Sequence, residues 1–163
     1  MLAKKELENV LIEYVTENKE KFYRMAFQYI KNEEQALDIV QDAIIKALTN
    51  LHKLKNEEYI KTWFYRILIN ECLQAIKKNK KENVFNIDEY NISTKDENIV
   101  EMIDLYNAID KLNPKLRTVI VLRFFESMSL EEISQITKVN INTTKSRLYK
   151  AIKELKILIR KEN

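Results

Sequence analysis

The segment between residues 142 and 150 is rich in side chains that donate hydrogen bonds, and their spacing fits one face of a helix. Lysine, arginine and amide groups of this kind read base edges in the major groove of DNA and bind backbone phosphates. No carboxylate follows before Glu154. A solvated face of an ordinary core helix is the alternative, but the donors favour DNA binding. The candidates are Asn142, Thr143, Lys145, Ser146, Arg147, Tyr149 and Lys150.

A second polar stripe is predicted on an otherwise apolar helix that runs from about Tyr59 to Lys78. At about 100° per residue, its members fall within about 80° of one another on the helix surface. Three more lysines follow directly. Such groups can hold bases and phosphates, whereas a solvated helix end with cations near the negative end of the helix dipole is equally compatible. The candidates are Arg66, Asn70, Gln74, Lys77, Lys78, Lys80 and Lys81.

A third group combines charge with an apolar centre on the helix that precedes this stripe. Asp38, Gln41, Asp42 and Ile45 recur at helical spacing on the side opposite the predicted core positions. An apolar residue with a polar rim is the usual composition of a small protein-docking patch. Single exposed apolar residues are also common on surfaces that bind nothing.

Two short helices joined by a tight turn must position the donors of residues 142–150. Ser129 and Glu132 have the spacing of a capping box, which begins the first helix. The second helix restarts at Asn140, a good N-cap, after the turn at Lys138. A short helix that braces a donor-rich second helix is the arrangement of a helix-turn-helix.

Helical periodicity is nearly continuous and strand signals are scarce, so the chain is predicted to be all-α. Amphipathic helices are expected at 7–15, at 19–30 and from Glu33 onward, and Asn113–Pro114 should begin another that extends to Phe125. The polar segment 82–98 has no helical period and is predicted to be a flexible linker. The expected domains are therefore residues 1–81 and 99–163.

Composition excludes several classes of protein. The 163 residues contain no glycine, which phosphate-cradling loops require for close backbone approach. One cysteine (Cys72) and one histidine (His52) cannot build a zinc site, so neither a metal nor a cofactor is expected. Eight Lys/Arg residues against two glutamates between Lys138 and Asn163 favour a polyanionic partner. The absence of a membrane-spanning apolar run and of a signal-peptide core predicts a cytoplasmic protein.

Three segments in this order resemble the extracytoplasmic-function (ECF) group of bacterial RNA polymerase sigma factors in the sigma-70 family. They are ALDIVQDAIIKAL (36–48), KTWFYRILINECLQAIKK (61–78) and the 116–156 segment with its helix-turn-helix. The sequence segments DIVQD, KTWFYRILIN and LRFFE resemble those of the sigma-V-like subgroup most closely. The resemblance implies sigma region 2 in residues 1–81 and sigma region 4 in residues 99–163.

The resemblance also implies partners and roles. Asp38, Gln41 and Asp42 match residues that contact the clamp of the polymerase β′ subunit, and region 4 would face the flap of the β subunit. Asn70 matches a −10-reading asparagine, while Gln74 stands where the family often has aspartate. Lys145, Ser146, Tyr149 and Lys150 match −35 contacts. A membrane-anchored anti-sigma factor would hold the protein inactive, recruit it to the membrane and release it under envelope stress, lysozyme in particular.

Two departures from the family pattern lie in the helix-turn-helix. Thr144 replaces the usual valine, and Lys138 replaces the usual turn glycine. A lysine with a positive φ angle costs on the order of 1 kcal/mol. The turn is therefore expected to be locally rearranged.

Two other classes of protein compete with a sigma factor. A dimeric helix-turn-helix regulator would explain residues 129–153, but it leaves the groups around Asn70 and Gln41 without a role. An enzyme would need paired carboxylates such as Glu33/Glu34 or Glu131/Glu132, and these pairs lie at helix starts, where capping and the helix dipole account for them. The sequence therefore predicts a sigma factor without catalytic activity of its own.

Overall fold

The computed structural model describes the backbone of residues 3–81 and 97–162, and the side chains of 3–81 and 104–160. Within these ranges the regular elements are all helical, which confirms the all-α prediction. The chain divides into two compact units, Met1–Glu82 and Asn83–Asn163. The predicted linker lies mostly outside the described residues, and so do its Phe85, Ile87 and Tyr90, which the sequence predicts to dock locally. Helix α4 begins at Glu97, inside the predicted range of the linker. The helices are α1 Lys4–Ile30, α2 Glu33–Thr49, α3 Ile60–Lys81, α4 Glu97–Lys111, α5 Pro114–Ile120, α6 Leu130–Thr137 and α7 Ile141–Glu162.

The first helix is continuous where the sequence predicted two. Polar residues 16–18 interrupt the apolar pattern, but Thr16 Oγ1 donates to the carbonyl of Ile12 and Asn18 Nδ2 donates to that of Tyr14. These side chains are thus satisfied within the helix and do not compete with its backbone bonds. The prediction of separate helices at 7–15 and 19–30 is therefore wrong.

Aromatic rings fill the centre of the first unit, where α1 and α3 meet. The ring centroids of Phe22 and Phe64 lie 4.6 Å apart, and Tyr65 meets Phe22 edge-on at 5.4 Å. All three side chains are buried. Aromatic pairs at such distances contribute about 0.5–1.5 kcal/mol beyond their burial. This cluster fixes the rotation of α3 and thereby decides which of its sides remains in solvent.

Two polar contacts join α2 to α3 outside this core. Lys46 forms an ion pair with Glu71, and Asn79 Nδ2 donates to Gln35 Oε1 at 3.0 Å. Asn32, whose type and position before Glu33 predict an N-cap, accepts from the Gln35 backbone N–H at 2.9 Å. The contacts lie near opposite ends of α2, so they hold the two helices side by side along their length.

The second unit packs α4 and α5 against α7. One core cluster at this contact holds seven buried apolar side chains, and Asn113 caps α5 by accepting from the Lys115 N–H at 2.9 Å. After Ile120 the helix widens into a π-helical segment, Val121–Phe125, in which the Glu126 N–H bonds to the Val121 carbonyl. The predicted α-helix to Phe125 therefore ends earlier. The core cluster comprises Ala108, Ile109, Leu112, Leu116, Ile120, Ala151 and Leu155.

The helix-turn-helix has the predicted caps but not the predicted rearrangement of its turn. The Ser129 hydroxyl accepts from the Glu132 N–H at 3.1 Å, and the Glu132 carboxylate accepts from the Ser129 N–H at 3.3 Å. Lys138 keeps the left-handed conformation with φ of 56°. The N–H groups of Lys138 and Val139 both bond to the Ser134 carbonyl, which stabilises the turn with a lysine where glycine is usual.

Replacing Lys138 by glycine is expected to stabilise the second unit. The left-handed conformation costs a non-glycine residue about 1–2 kcal/mol, whereas glycine loses an extra ~0.5–1 kcal/mol of backbone entropy on folding. The net gain should be about 0.5–1 kcal/mol in the free energy of unfolding, measured by urea denaturation with circular dichroism. Lys156→Gly, within α7, is the control and should cost about 1 kcal/mol. A loss of stability in Lys138→Gly would contradict this account.

Candidate DNA-binding and polymerase-binding surfaces

The helix α7 presents most of the predicted donors on one side. Asn140 Oδ1 accepts from the Thr143 N–H at 2.8 Å and sets the start of the helix. Thr144 is buried, and its hydroxyl donates to the Asn140 carbonyl, so the threonine that replaces valine remains satisfied. We call the exposed residues opposite it the α7 donor face; Tyr149 is the most open of them at 72% exposure. The α7 donor face comprises Asn142, Lys145, Ser146, Tyr149 and Lys150.

Two of the predicted −35 residues are less exposed than this face. Thr143 and Arg147 are half-buried. At about 100° per residue, Thr143 lies about 20° and Arg147 about 60° around the helix from Lys150, so both adjoin one edge of the α7 donor face.

The helix α3 exposes the predicted polar stripe. Asn70, Gln74 and Lys77 are exposed, and Arg66 is half-buried at the edge of the aromatic core. Lys78, Lys80 and Lys81 are exposed in the last turn. We call Arg66, Asn70, Gln74 and Lys77 the α3 stripe. The structure brings all of its members to one side of α3.

An exposed aromatic ring next to the α3 stripe was missed by the sequence reasoning. Tyr59 is 55% exposed immediately before α3, and Trp63 is half-buried one turn later. Both fall within about 40° of Asn70 on the helix surface. The sequence did contain a signal for this. Tyr59 and Trp63 are four residues apart, and Trp63 and Asn70 are seven apart, which places all three on one side of a helix. Trp63 is therefore neither fully core nor fully solvent-facing.

The helix α2 exposes the predicted docking group and more apolar surface than expected. Asp38, Gln41 and Asp42 are exposed, and Ile45 is 60% exposed. We call these four residues the α2 patch. Leu37 and Leu48 are exposed on the same side, whereas the apolar spacing of residues 36, 39, 40, 43, 44, 47, 48 and 51 predicts that Leu48 is buried. The apolar part of this surface thus consists of three side chains, those of Leu37, Ile45 and Leu48.

A further apolar surface lies on the second unit. Phe124 in the π-helical segment is 59% exposed, and Phe125 is partly exposed while its ring stacks on Tyr106 at 5.8 Å. We call these three residues the aromatic patch. In the sequence, Phe124 and Phe125 contribute only to the family resemblance of LRFFE and are not predicted to form a surface. Adjacent residues on a regular helix point about 100° apart, so two adjacent phenylalanines cannot both face one core. The pair therefore indicated that at least one ring is exposed.

The remaining chemistry-bearing groups do not form a site. Burial raises the pKa of the Cys72 thiol far above its usual range, so the residue is inert core filler rather than a nucleophile. Among the described residues no group of histidine, cysteine and carboxylate side chains could hold a metal ion. The described helices also include none that is long and apolar enough to cross a membrane.

Comparison with known proteins identifies the family. Residues 14–82 match the sequence model described as Sigma-70 region 2, and residues 102–155 match the one described as Sigma-70, region 4. The chain is 42% identical over 164 residues to the RNA polymerase sigma factor SigV of Bacillus subtilis (strain 168), covering 100% of this chain and 99% of that relative. The chain belongs to the sigma-70 family. The resemblance inferred from the three sequence segments is confirmed.

This sigma factor is of the ECF type. It is 30% identical over 158 residues to the ECF RNA polymerase sigma factor SigW of the same organism, covering 87% of this chain and 84% of the relative. Proteins of this family bind core RNA polymerase and promoter DNA and act in transcription initiation. The α2 patch and α3 stripe lie inside the match to region 2, and the α7 donor face lies inside the match to region 4.

Solved structures support the fold of this sigma factor. It resembles the sigma factor RpoE of Bartonella quintana, crystallised with the anti-sigma factor NepR, with a TM-score of 0.66, 25% identity and coverage of 96% of each chain. It also resembles CnrH, solved in complex with the cytosolic domain of CnrY, with a TM-score of 0.72 and 18% identity. That match covers 94% of this chain and 89% of CnrH, and at this identity it supports the fold alone.

Proposed function

We propose that this sigma factor holds the polymerase and the promoter through four exposed surfaces. The α2 patch binds the clamp region of the β′ subunit, and the α3 stripe with the lysines after it captures the −10 element. The α7 donor face enters the major groove of the −35 element. The aromatic patch docks on the flap of the β subunit. The observation that carries this proposal is the exposure of these side chains within segments that match sigma regions 2 and 4.

The chemistry of each surface suits its proposed partner. Lysine, serine and amide donors on α7 fit guanine and adenine edges and phosphates, and no carboxylate on that face would repel them. The α2 patch combines an apolar centre with charged neighbours, which is the anatomy of a protein interface. Exposed phenylalanines on a small domain are typical of docking sites for apolar partner segments. The ring of Tyr59 offers a stacking surface for an unpaired base.

We also propose that an anti-sigma factor controls access to these surfaces. The structure of the RpoE–NepR complex supports such a partner, because the present chain matches RpoE over 96% of its length. In this proposal the factor is membrane-anchored, recruits an otherwise cytoplasmic protein, and releases it during envelope stress such as lysozyme challenge. The support for the stress signal is the subgroup resemblance to SigV.

Reconstitution with core polymerase tests the proposed function. The purified chain should co-elute with bacterial core polymerase in size-exclusion chromatography and direct transcription from fragments of genomic DNA. The mapped start sites should share two upstream elements at a fixed spacing. Core polymerase alone is the control. A dimeric chain that does not co-elute, and that protects palindromic sites without polymerase, would favour the helix-turn-helix regulator instead.

A further inference from the structure

Three cations continue the side of α7 beyond the α7 donor face. Lys153, Lys156 and Arg160 are exposed, and none of them forms an ion pair with another residue whose side chain the structure describes. We call them the α7 basic stripe. At about 100° per residue all three fall within about 40° of Tyr149. Glu154, the one carboxylate among them, is half-buried on a different side.

The length of α7 separates the α7 basic stripe from the groove. The helix rises about 1.5 Å per residue, so Lys145 and Arg160 are about 22 Å apart along its axis. The major groove is only about 12 Å wide. A helix that places Lys145 against base edges therefore carries Arg160 out of the groove and past the backbone that lines it.

Packing keeps this part of α7 in place. Ala151 and Leu155 belong to the core cluster of the second unit, and Leu158 and Ile159 pack against it. The helix is thus held to the domain on its far side almost to its last turn, and the three cations keep their alignment with Tyr149. A positive surface held rigidly in line with a groove-binding face is directed at the same duplex.

We propose that the α7 basic stripe binds phosphates of the duplex that flanks the −35 element. This inference rests on the proposed function of the α7 donor face and extends it along the DNA. Positive charge without carboxylates on the stripe complements a phosphate backbone. On the described part of α7 beside the stripe, the exposed large hydrophobic side chains are Ile157 and Tyr149, and the tyrosine also carries a polar hydroxyl. A protein partner would need more apolar area than this.

The test measures how binding to a random-sequence duplex depends on salt. Two proteins are compared, the wild type and the variant Lys153→Gln/Lys156→Gln/Arg160→Gln. Each is titrated against a fluorescein-labelled duplex of about 24 base pairs, roughly two helical turns, at salt concentrations between about 50 and 200 mM. Each lost phosphate contact lowers the slope of log K against log salt by about 0.9. The variant should therefore have a slope shallower by about three units. Across this salt range the wild type should lose about 40-fold more affinity than the variant.

A matched control and a second readout make the result specific. Lys4→Gln/Lys5→Gln/Lys19→Gln removes the same charge from exposed positions of α1 and should keep the wild-type slope. The α7 variant in holoenzyme should select the same promoters as the wild type, because phosphate contacts carry no sequence information. If the variant had the same slope of log K against log salt as the wild type, the proposal would be wrong. The stripe would then bind an acidic protein segment or nothing at all. If the wild-type holoenzyme selected no promoters, the proposed function itself would fail, whatever the slopes.

Discussion

Alanine at both Gln41 and Asp42 is expected to weaken the binding of this sigma factor to core polymerase by about 5- to 150-fold. The range takes one of the two residues as an interface anchor that contributes about 1–3 kcal/mol, and 1.4 kcal/mol corresponds to a factor of ten. Both side chains are exposed on α2, where core packing does not need them. The apolar part of the same surface predicts a larger loss for Ile45→Asp, which would bring an unpaired charge into the contact.

Competition for core polymerase measures this effect directly. A labelled wild-type chain is displaced from core enzyme by each unlabelled variant, and circular dichroism verifies that helicity is unchanged. The double variant Glu17→Ala/Glu20→Ala is the control, because it removes exposed carboxylates from α1 without touching α2. If Gln41→Ala/Asp42→Ala displaced the wild type with wild-type affinity, the α2 patch would not be the clamp-binding surface.

Helix starts were predictable from the sequence because capping depends on neighbours within three residues. Asn32, Asn113, Ser129 and Asn140 each accept a hydrogen bond from a backbone N–H two or three positions later, as their types and positions indicated. The donor face of α7 was predictable for a related reason. A side that carries five polar residues at helical spacing has no place in an apolar core.

Features that depend on distant packing were not predictable in this way. Leu48 is exposed although it continues the apolar spacing of α2, because that spacing does not determine how much of the helix the neighbouring helices cover. The π-helical segment at Val121 is similar, because its register is set by the demand that Val121 and Leu122 stay buried while Phe124 leaves the core. The continuity of α1 required knowledge that Thr16 and Asn18 bond to their own helix.

The α3 stripe is proposed to hold unpaired bases of the −10 element while the promoter opens. Duplex DNA hides the Watson–Crick edges, so a protein that reads the −10 element must hold bases taken out of the stack. Extruding one base costs a few kcal/mol. An exposed asparagine that hydrogen-bonds an adenine can return about 1–3 kcal/mol, and the lysines from Lys77 to Lys81 can hold the displaced backbone. Arg66, half-buried beside the aromatic core, has less freedom to follow a base than Asn70.

Polymerase that carries Asn70→Ala is therefore expected to bind promoter duplex but to open it about 5- to 150-fold less often. The range is the free energy of one base contact converted at 1.4 kcal/mol per factor of ten. The measurement is permanganate reactivity of promoter thymines in the polymerase complex, on a promoter mapped in the reconstitution. Asn9→Ala, which removes an exposed asparagine from α1, is the matched control and should open the promoter normally.

A template with a pre-formed bubble separates melting from base recognition. Mispairing the non-template −10 bases removes the cost of opening, so it should restore most of the melting lost in Asn70→Ala while leaving the discrimination between bases impaired. Removing the charges of Lys77, Lys78, Lys80 and Lys81 together should instead weaken the hold on any sequence and flatten the salt dependence of the open complex. Normal opening by both variants on duplex DNA would show that the α3 stripe is an ordinary solvated face, since neither base contacts nor phosphate contacts would then come from α3.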